Sequence, residues 1–176
     1  MQIVRCFLNI REKQYISGVA LAIFVILSPS IALAQSKADS TTVQSIVERY
    51  QKVWDTHDAN ELAQFFTEDA DFIMGTWPHI SGRKAIQGLW QAYFKKQEPG
   101  RKLRLDINSF KIITDAVMLI NVSTTTWGHD EQGEELQSRK FRGTWVLNKQ
   151  SNGDWLIVAM LGLPTEEDRI IRPSDH

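Results

Sequence analysis

The hydrophobic pattern of this chain changes period once, and that change constrains the fold more than any other feature. From residue 43 the apolar side chains fall at Val43, Ile46, Val47, Tyr50, Val53 and Trp54, a stripe along one face of a helix. Beyond residue 100, Leu103, Leu105 and Ile107 alternate with Arg104, Asp106 and Asn108, the period of a half-buried strand. Between these regions, Asp58 is placed to cap a short second helix containing Leu62, Phe65 and Phe66. Residues 70–75 read as a short strand and 75–82 as a loop. A third helix runs from Arg83 to about Lys96, with Ile86, Leu89, Trp90 and Tyr93 on one face, and Pro99-Gly100 stops it. Stretches 115–127, 137–148 and 155–163 have strand composition, and polar turns at 128–135 and Ser151–Asp154 separate them. Helices followed by an antiparallel meander make a single α+β domain.

The N-terminus has a different character. Arg5, Arg11 and Lys13 precede an apolar run from Ile16 to Leu27, and Ala32 and Ala34 stand at signal-peptidase spacing. The expectation is a secretory signal peptide over 1–34, a loose polar leader over 35–42, the domain proper over 43–164 and a charged tail over 165–176. The apolar run is shorter than the roughly 20 residues of a membrane-spanning helix, so no stable anchor is expected after cleavage. A periplasmic or secreted location follows. The one cysteine, Cys6, lies in the segment to be removed, so the core must hold the domain together without disulfides.

Composition narrows the function classes. Twenty basic residues face twenty-one acidic ones, and no basic run exceeds two residues. A nucleic-acid partner, which needs a basic face, is not expected. No histidine–carboxylate set has metal-ligand spacing, and no glycine-rich phosphate loop follows a strand, so neither a metal nor a cofactor is expected. Six tryptophans, eight phenylalanines and three tyrosines are generous for 176 residues. They suit a wide core or a ring-walled pocket.

Three segments carry a resemblance: ERYQKVWDTHDANELAQFFTEDADFIMG, SGRKAIQGLW and GTWVLNKQSNGDWLIV. In order and spacing they resemble the nuclear transport factor 2-like superfamily, and within it the SnoaL-like and SgcJ/EcaC-type small proteins. The resemblance implies a cone, in which a strongly curved antiparallel sheet wraps three N-terminal helices and encloses a cavity open at one end. Superfamily members include isomerases, cyclases, dehydratases, hydrolases and non-catalytic assembly domains, so fold alone does not set function. In the ketosteroid isomerases of this fold, a helix-one tyrosine works with two carboxylic acids on strands. The motif ERY places Tyr50 on that tyrosine, but Met74 and Gly143 stand at the two acid positions. A thioether and a glycine carry no protons, so that isomerase mechanism is not expected.

The candidate catalytic residues are therefore Tyr50, as a hydrogen-bond donor, and His79, in the loop that rims the family's cavity, as acid or base. Tyr50 can equally be a core tyrosine and His79 a solvated loop residue. His57 and His129 are weaker candidates. Asp71 is out of register with Phe72 and Met74 and should face away, and Glu68 and Asp69 read as an acidic turn. Alternation sends Val158, Met160 and Gly162 to the pocket side of the last strand. The expected ligand-binding wall is Trp54, Phe66, Phe72, Met74, Trp90, Trp145 and Met160, with Trp77 at the rim. Two functions fit this wall. One is an exported protein that binds a small apolar or aromatic molecule, with weak isomerase, cyclase or hydrolase activity on it as an option. The other is a non-catalytic assembly module with a filled core. The resemblance implies a homodimer paired through the outer face of the sheet, which the Thr-rich strand 122–126 could supply.

Overall fold

The computed structural model describes residues 28–75, 77–96 and 100–165, with side chains from Asp39 onward. Most of the expected signal segment, residues 1–27, and the charged tail from 166 lie outside the described residues. The chain divides into two compact units, Met1–Thr41 and Thr42–His176, and the second carries the domain.

Helix α1 spans Ser28–Trp54. It runs through 35–42, which corrects the expectation of a loose leader there. The reason is local: no glycine or proline interrupts the chain from Ser30 to Met74, and the alanines and long side chains among these residues favour helix. Its apolar stripe is buried as spaced, at Val43, Ile46, Val47, Tyr50 and Trp54. The short helix α2, Ala59–Ala63, is capped as its sequence suggests. Asp58 Oδ1 accepts from the backbone N–H groups of Asn60 and Glu61 at 2.8 and 3.0 Å.

Strand β1 spans Phe66–Met74, longer than the 70–75 expected. Phe66 therefore belongs to a strand rather than to the second helix, and Glu68 and Asp69 are strand residues rather than a turn. Their side chains are held: Asp69 accepts from the Thr67 hydroxyl at 2.8 Å, and Glu68 pairs with Arg83. The segment read as a loop contains a two-residue strand β2, Ile80–Ser81, before helix α3, Arg83–Lys96. Strands β3 (Lys102–Thr114), β4 (Val117–Trp127), β5 (Arg139–Lys149) and β6 (Trp155–Pro164) complete the sheet. The turn between β5 and β6 closes at Gln150–Asp154, where Gly153 takes a positive φ of 91°.

The six strands lie in the order β2-β1-β6-β5-β4-β3. The expectation of a wholly antiparallel sheet needs one correction, because β1 pairs with β6 in parallel. The helical crossover between β1 and β3 brings the chain back to build the meander from the far edge inward, and its last strand then lands beside its first. Register shifts interrupt β3 twice, and the β5–β6 and β1–β6 pairings once each. Such irregularities bend strands and increase twist, which a sheet needs in order to curl around helices. The result is an α+β cone, a curved mixed sheet with three helices among the described residues.

Candidate functional site

The inner face of the cone is a ladder of side chains, and its rungs follow from strand register. A basal rung runs Phe72, Met160, Trp145, Ile120, Phe110 across β1, β6, β5, β4 and β3. The next runs Met74, Gly162, Gly143, Val122, Ile107. Above it lie Pro164, Phe141, Thr124 and Leu105, and at the top Arg139, Thr126 and Leu103. Polarity therefore rises along the ladder, from rings and aliphatic groups at the bottom to hydroxyls and one guanidinium at the top.

The two glycines of the second rung leave room that larger residues would fill. A cavity of about 320 Å³ opens above them, between the sheet and the helices. Its helix-side wall is aromatic: Trp54 from α1, Trp90 and Tyr93 from α3, and Trp77 from the loop after β1. These rings brace one another, with centroids 5.4 Å apart for Trp90–Tyr93, 5.9 Å for Trp77–Tyr93 and 6.3 Å for Trp54–Tyr93. The sheet-side wall brings Thr124, Thr126, Arg139 and Phe141. A further chamber of about 50 Å³ continues past Trp54, Met74 and Phe141 to Tyr50, Trp145, Met160 and Gly162. Volume and lining match ordinary ligand pockets, which start near 300 Å³ and are mostly apolar.

Tyr50 is 3% exposed and stands at the inner chamber, its ring 4.8 Å from Trp145 and 5.2 Å from Phe65. Burial pushes its phenol pKa well above the ordinary tyrosine value. It is a neutral hydroxyl at any physiological pH, able to donate a hydrogen bond but not to act as a base.

Trp54, Met74, Trp77 and Trp90 line the main cavity as expected, and Trp145 and Met160 line the inner chamber. Phe66 and Phe72 do not. Both are fully buried, Phe72 on that basal rung itself and Phe66 further from the mouth at the start of β1; they pack edge-to-face at 6.3 Å and are core rather than wall. His79 is also outside the cavity. Its Nε2 lies 2.7 Å from Asp71 Oδ1, with side chains 55% and 48% exposed. Strand alternation explains the correction: Asp71 points away from Phe72 as expected, and it takes His79 to the outer side of β1 with it. The His79 hydrogen bond, seconded by one from Ser81, holds the Asp71 carboxyl below its usual range. His57 is likewise structural, its Nε2 donating to the Arg101 carbonyl at 3.1 Å and its ring stacked on Phe94. His129 is exposed, in a backbone bridge with Glu135.

Sequence reading missed Tyr93, Arg139, Phe141 and the two threonines as cavity residues. Alternation from Trp145 back through Gly143 would have found Phe141 and Arg139, because period two holds along β5 to its first residue. Among the described residues, no three His, Cys, Asp or Glu side chains gather as a metal site.

A curved sheet closing on helices around an apolar, ring-walled cavity defines a class of small α+β cone domains. Residues 43–161 match the SnoaL-like domain family, and the chain belongs to it. No curated protein matches the chain in sequence. Solved structures share its fold. A nuclear transport factor 2-like protein with a cystatin-like fold from Novosphingobium aromaticivorans is 16% identical, with a TM-score of 0.65, over 84% of this chain and 97% of that one. A ketosteroid isomerase-like protein from Erwinia carotovora atroseptica is 12% identical, with a TM-score of 0.60, over 76% and 96%. A Catenulispora acidiphila structure in complex with S-DNPA is 20% identical, with a TM-score of 0.61, over 77% and 98%.

Proposed function

We propose that this SnoaL-like domain binds a small apolar or aromatic molecule in the cone. The observation that carries the reading is the cavity of about 320 Å³ walled by Trp54, Trp77, Trp90, Tyr93 and Phe141. Flat rings on opposed walls suit a planar guest, and the fold neighbour from Catenulispora acidiphila holds a small molecule. Tyr50 supports a polarising role at the inner end. With His79 held by Asp71 outside, the lining among the described residues offers donors and no histidine or carboxylate, which favours binding over proton-transfer chemistry. Tryptophan fluorescence and thermal melts against a panel of mono- and bicyclic aromatic compounds test the reading. Quenching with a raised Tm for part of the panel supports it, and an unresponsive protein across the whole panel refutes it.

The assembly reading has its own supporting observation. Ile73 and Leu161, register partners across β1 and β6, are 39% and 43% exposed on the outer face. On this reading two copies pair through that face; the filled core expected with it is not what the structure has, since a cavity of about 320 Å³ remains. Light scattering on the purified protein, repeated with Leu161→Asp, tests it: a dimer that the variant converts to monomer supports pairing, and a monomeric wild type refutes it.

Export belongs to the same proposal, supported by the basic flank, the short apolar run and Ala32 and Ala34. Mass spectrometry of protein from the native host should find the chain starting near Gln35, and an intact N-terminus in the cytoplasm would refute export. Within the family, SGRKAIQGLW and the closing hairpin support an SgcJ/EcaC-type relationship.

A further inference from the structure

The cavity's polarity is lopsided, and the imbalance specifies its ligand more narrowly. Arg139 is the first residue of β5 and lines the cavity beside Thr126, its register partner on β4. No aspartate or glutamate lines the cavity among the described residues. The Arg139 side chain also forms no hydrogen bond or ion pair with any described residue, although the residue is half-buried. Its neighbours in the fold are treated differently. Arg101 donates to Thr126 Oγ1 and the Gln137 carbonyl, and Arg104 is paired with Asp106. A guanidinium with five donors, carried on a half-buried residue and given no acceptor by any described residue, is placed to meet an anion.

The rest of the wall sets the anion's shape. Below Arg139 and Thr126 the ladder turns at once to Phe141 and Leu105, then to the glycine pair and Met74. Opposite stands the ring wall of Trp54, Trp90 and Tyr93, in which the Trp90 Nε1–H is buried without an acceptor. A single guanidinium offers two parallel N–H groups, the match for one carboxylate. A phosphate dianion would leave charge uncompensated against so apolar a surface.

We infer that the cavity takes an amphipathic aromatic carboxylate, with the acid group on Arg139 at the mouth and the ring body directed toward the Gly143–Gly162 floor. The inference rests on the proposed ligand-binding reading and deepens it.

Calorimetric titration of the full chain with 2-naphthoate and its neutral twin, 2-naphthamide, tests both levels separately. The acid should bind about tenfold or more tightly than the amide, the scale of a charge-assisted hydrogen bond over a neutral one. Arg139→Gln should remove that preference, bringing the acid's affinity down to that of the amide measured on the same variant. Arg139→Lys should keep part of it, since the charge remains and the fork does not. Raising salt should shrink the preference in the wild-type protein, a measurement that stands even if a variant folds poorly. Equal binding of acid and amide by the wild type overturns the carboxylate inference and leaves the binding reading intact. Failure of both probes to bind a protein that answers other members of the aromatic panel overturns the carboxylate inference alone, and silence across probes and panel overturns the two together.

Discussion

Gly143 on β5 and Gly162 on β6 are register partners on the inner face of the sheet, and the space above them is the floor of the cavity. They are not equivalent. A Cβ on Gly162 would overlap the Met74 thioether, the movable end of a flexible side chain. A Cβ on Gly143 would stand 3.2 Å from the Leu161 carbonyl oxygen, which is backbone and cannot swing aside. Gly162→Ala should therefore push Met74 into the cavity, weakening ligand binding at a stability cost below about 1 kcal/mol. Gly143→Ala should cost more, about 1–3 kcal/mol. Denaturant unfolding of the two variants measures the difference, and equal losses would contradict the assignment of Met74 as the yielding partner.

Tyr50→Phe should leave the ring packing intact and change stability at pH 7 by less than about 1 kcal/mol. The variant should differ from the wild type most clearly in alkali. Because the folded-state pKa of Tyr50 is raised, its contribution is fully present below the unfolded value of about 10 and is lost as pH rises above it. Wild-type stability should therefore fall with pH above 10 more steeply than that of Tyr50→Phe, by up to about 1.4 kcal/mol per pH unit. Parallel curves would place the hydroxyl in contact with solvent.

The His79–Asp71 pair should affect acid stability and not binding. His79→Ala should leave 2-naphthoate affinity unchanged, and a tenfold or greater loss would return the rim histidine to the site. Asp71 has a lowered folded-state pKa, so its contribution is present above the unfolded value of about 4 and disappears as pH falls through the folded one. The Tm difference between wild type and Asp71→Asn should accordingly be small at neutral pH and vanish in strong acid.

Helix α1 ties down the free edge of β3. The Gln51 Oε1 accepts from the Leu105 N–H at 2.9 Å, and Asp55 Oδ1 accepts from the Leu103 N–H at 2.8 Å. Both donors would otherwise present an open strand edge beside the cavity mouth. Gln51→Ala and Asp55→Ala should each destabilise by about 1–2 kcal/mol, and the double variant should show faster amide exchange at Leu103 and Leu105. Unchanged exchange would mean that the edge is protected by other groups.

The sequence by itself determined the α1 stripe, the Asp58 cap, helix α3 over Arg83–Lys96, the closing hairpin and the family. Each depends on residues close together in the chain, where period and turn chemistry act directly. Trp54, Met74, Trp77 and Trp90 all line the cavity, because their positions follow from helix and strand periodicity within a known architecture. Only the tertiary structure decided that β1 runs parallel to β6, that Phe66 and Phe72 are packed under the cavity rather than around it, and that His79 is drawn outward by Asp71. These depend on partners eight to ninety residues apart, which no local pattern encodes. The position of Arg139 has the same origin. Its charge is plain in the sequence, but its place opposite a wall of rings arises only when the meander brings β5 against β4 and closes over the helices.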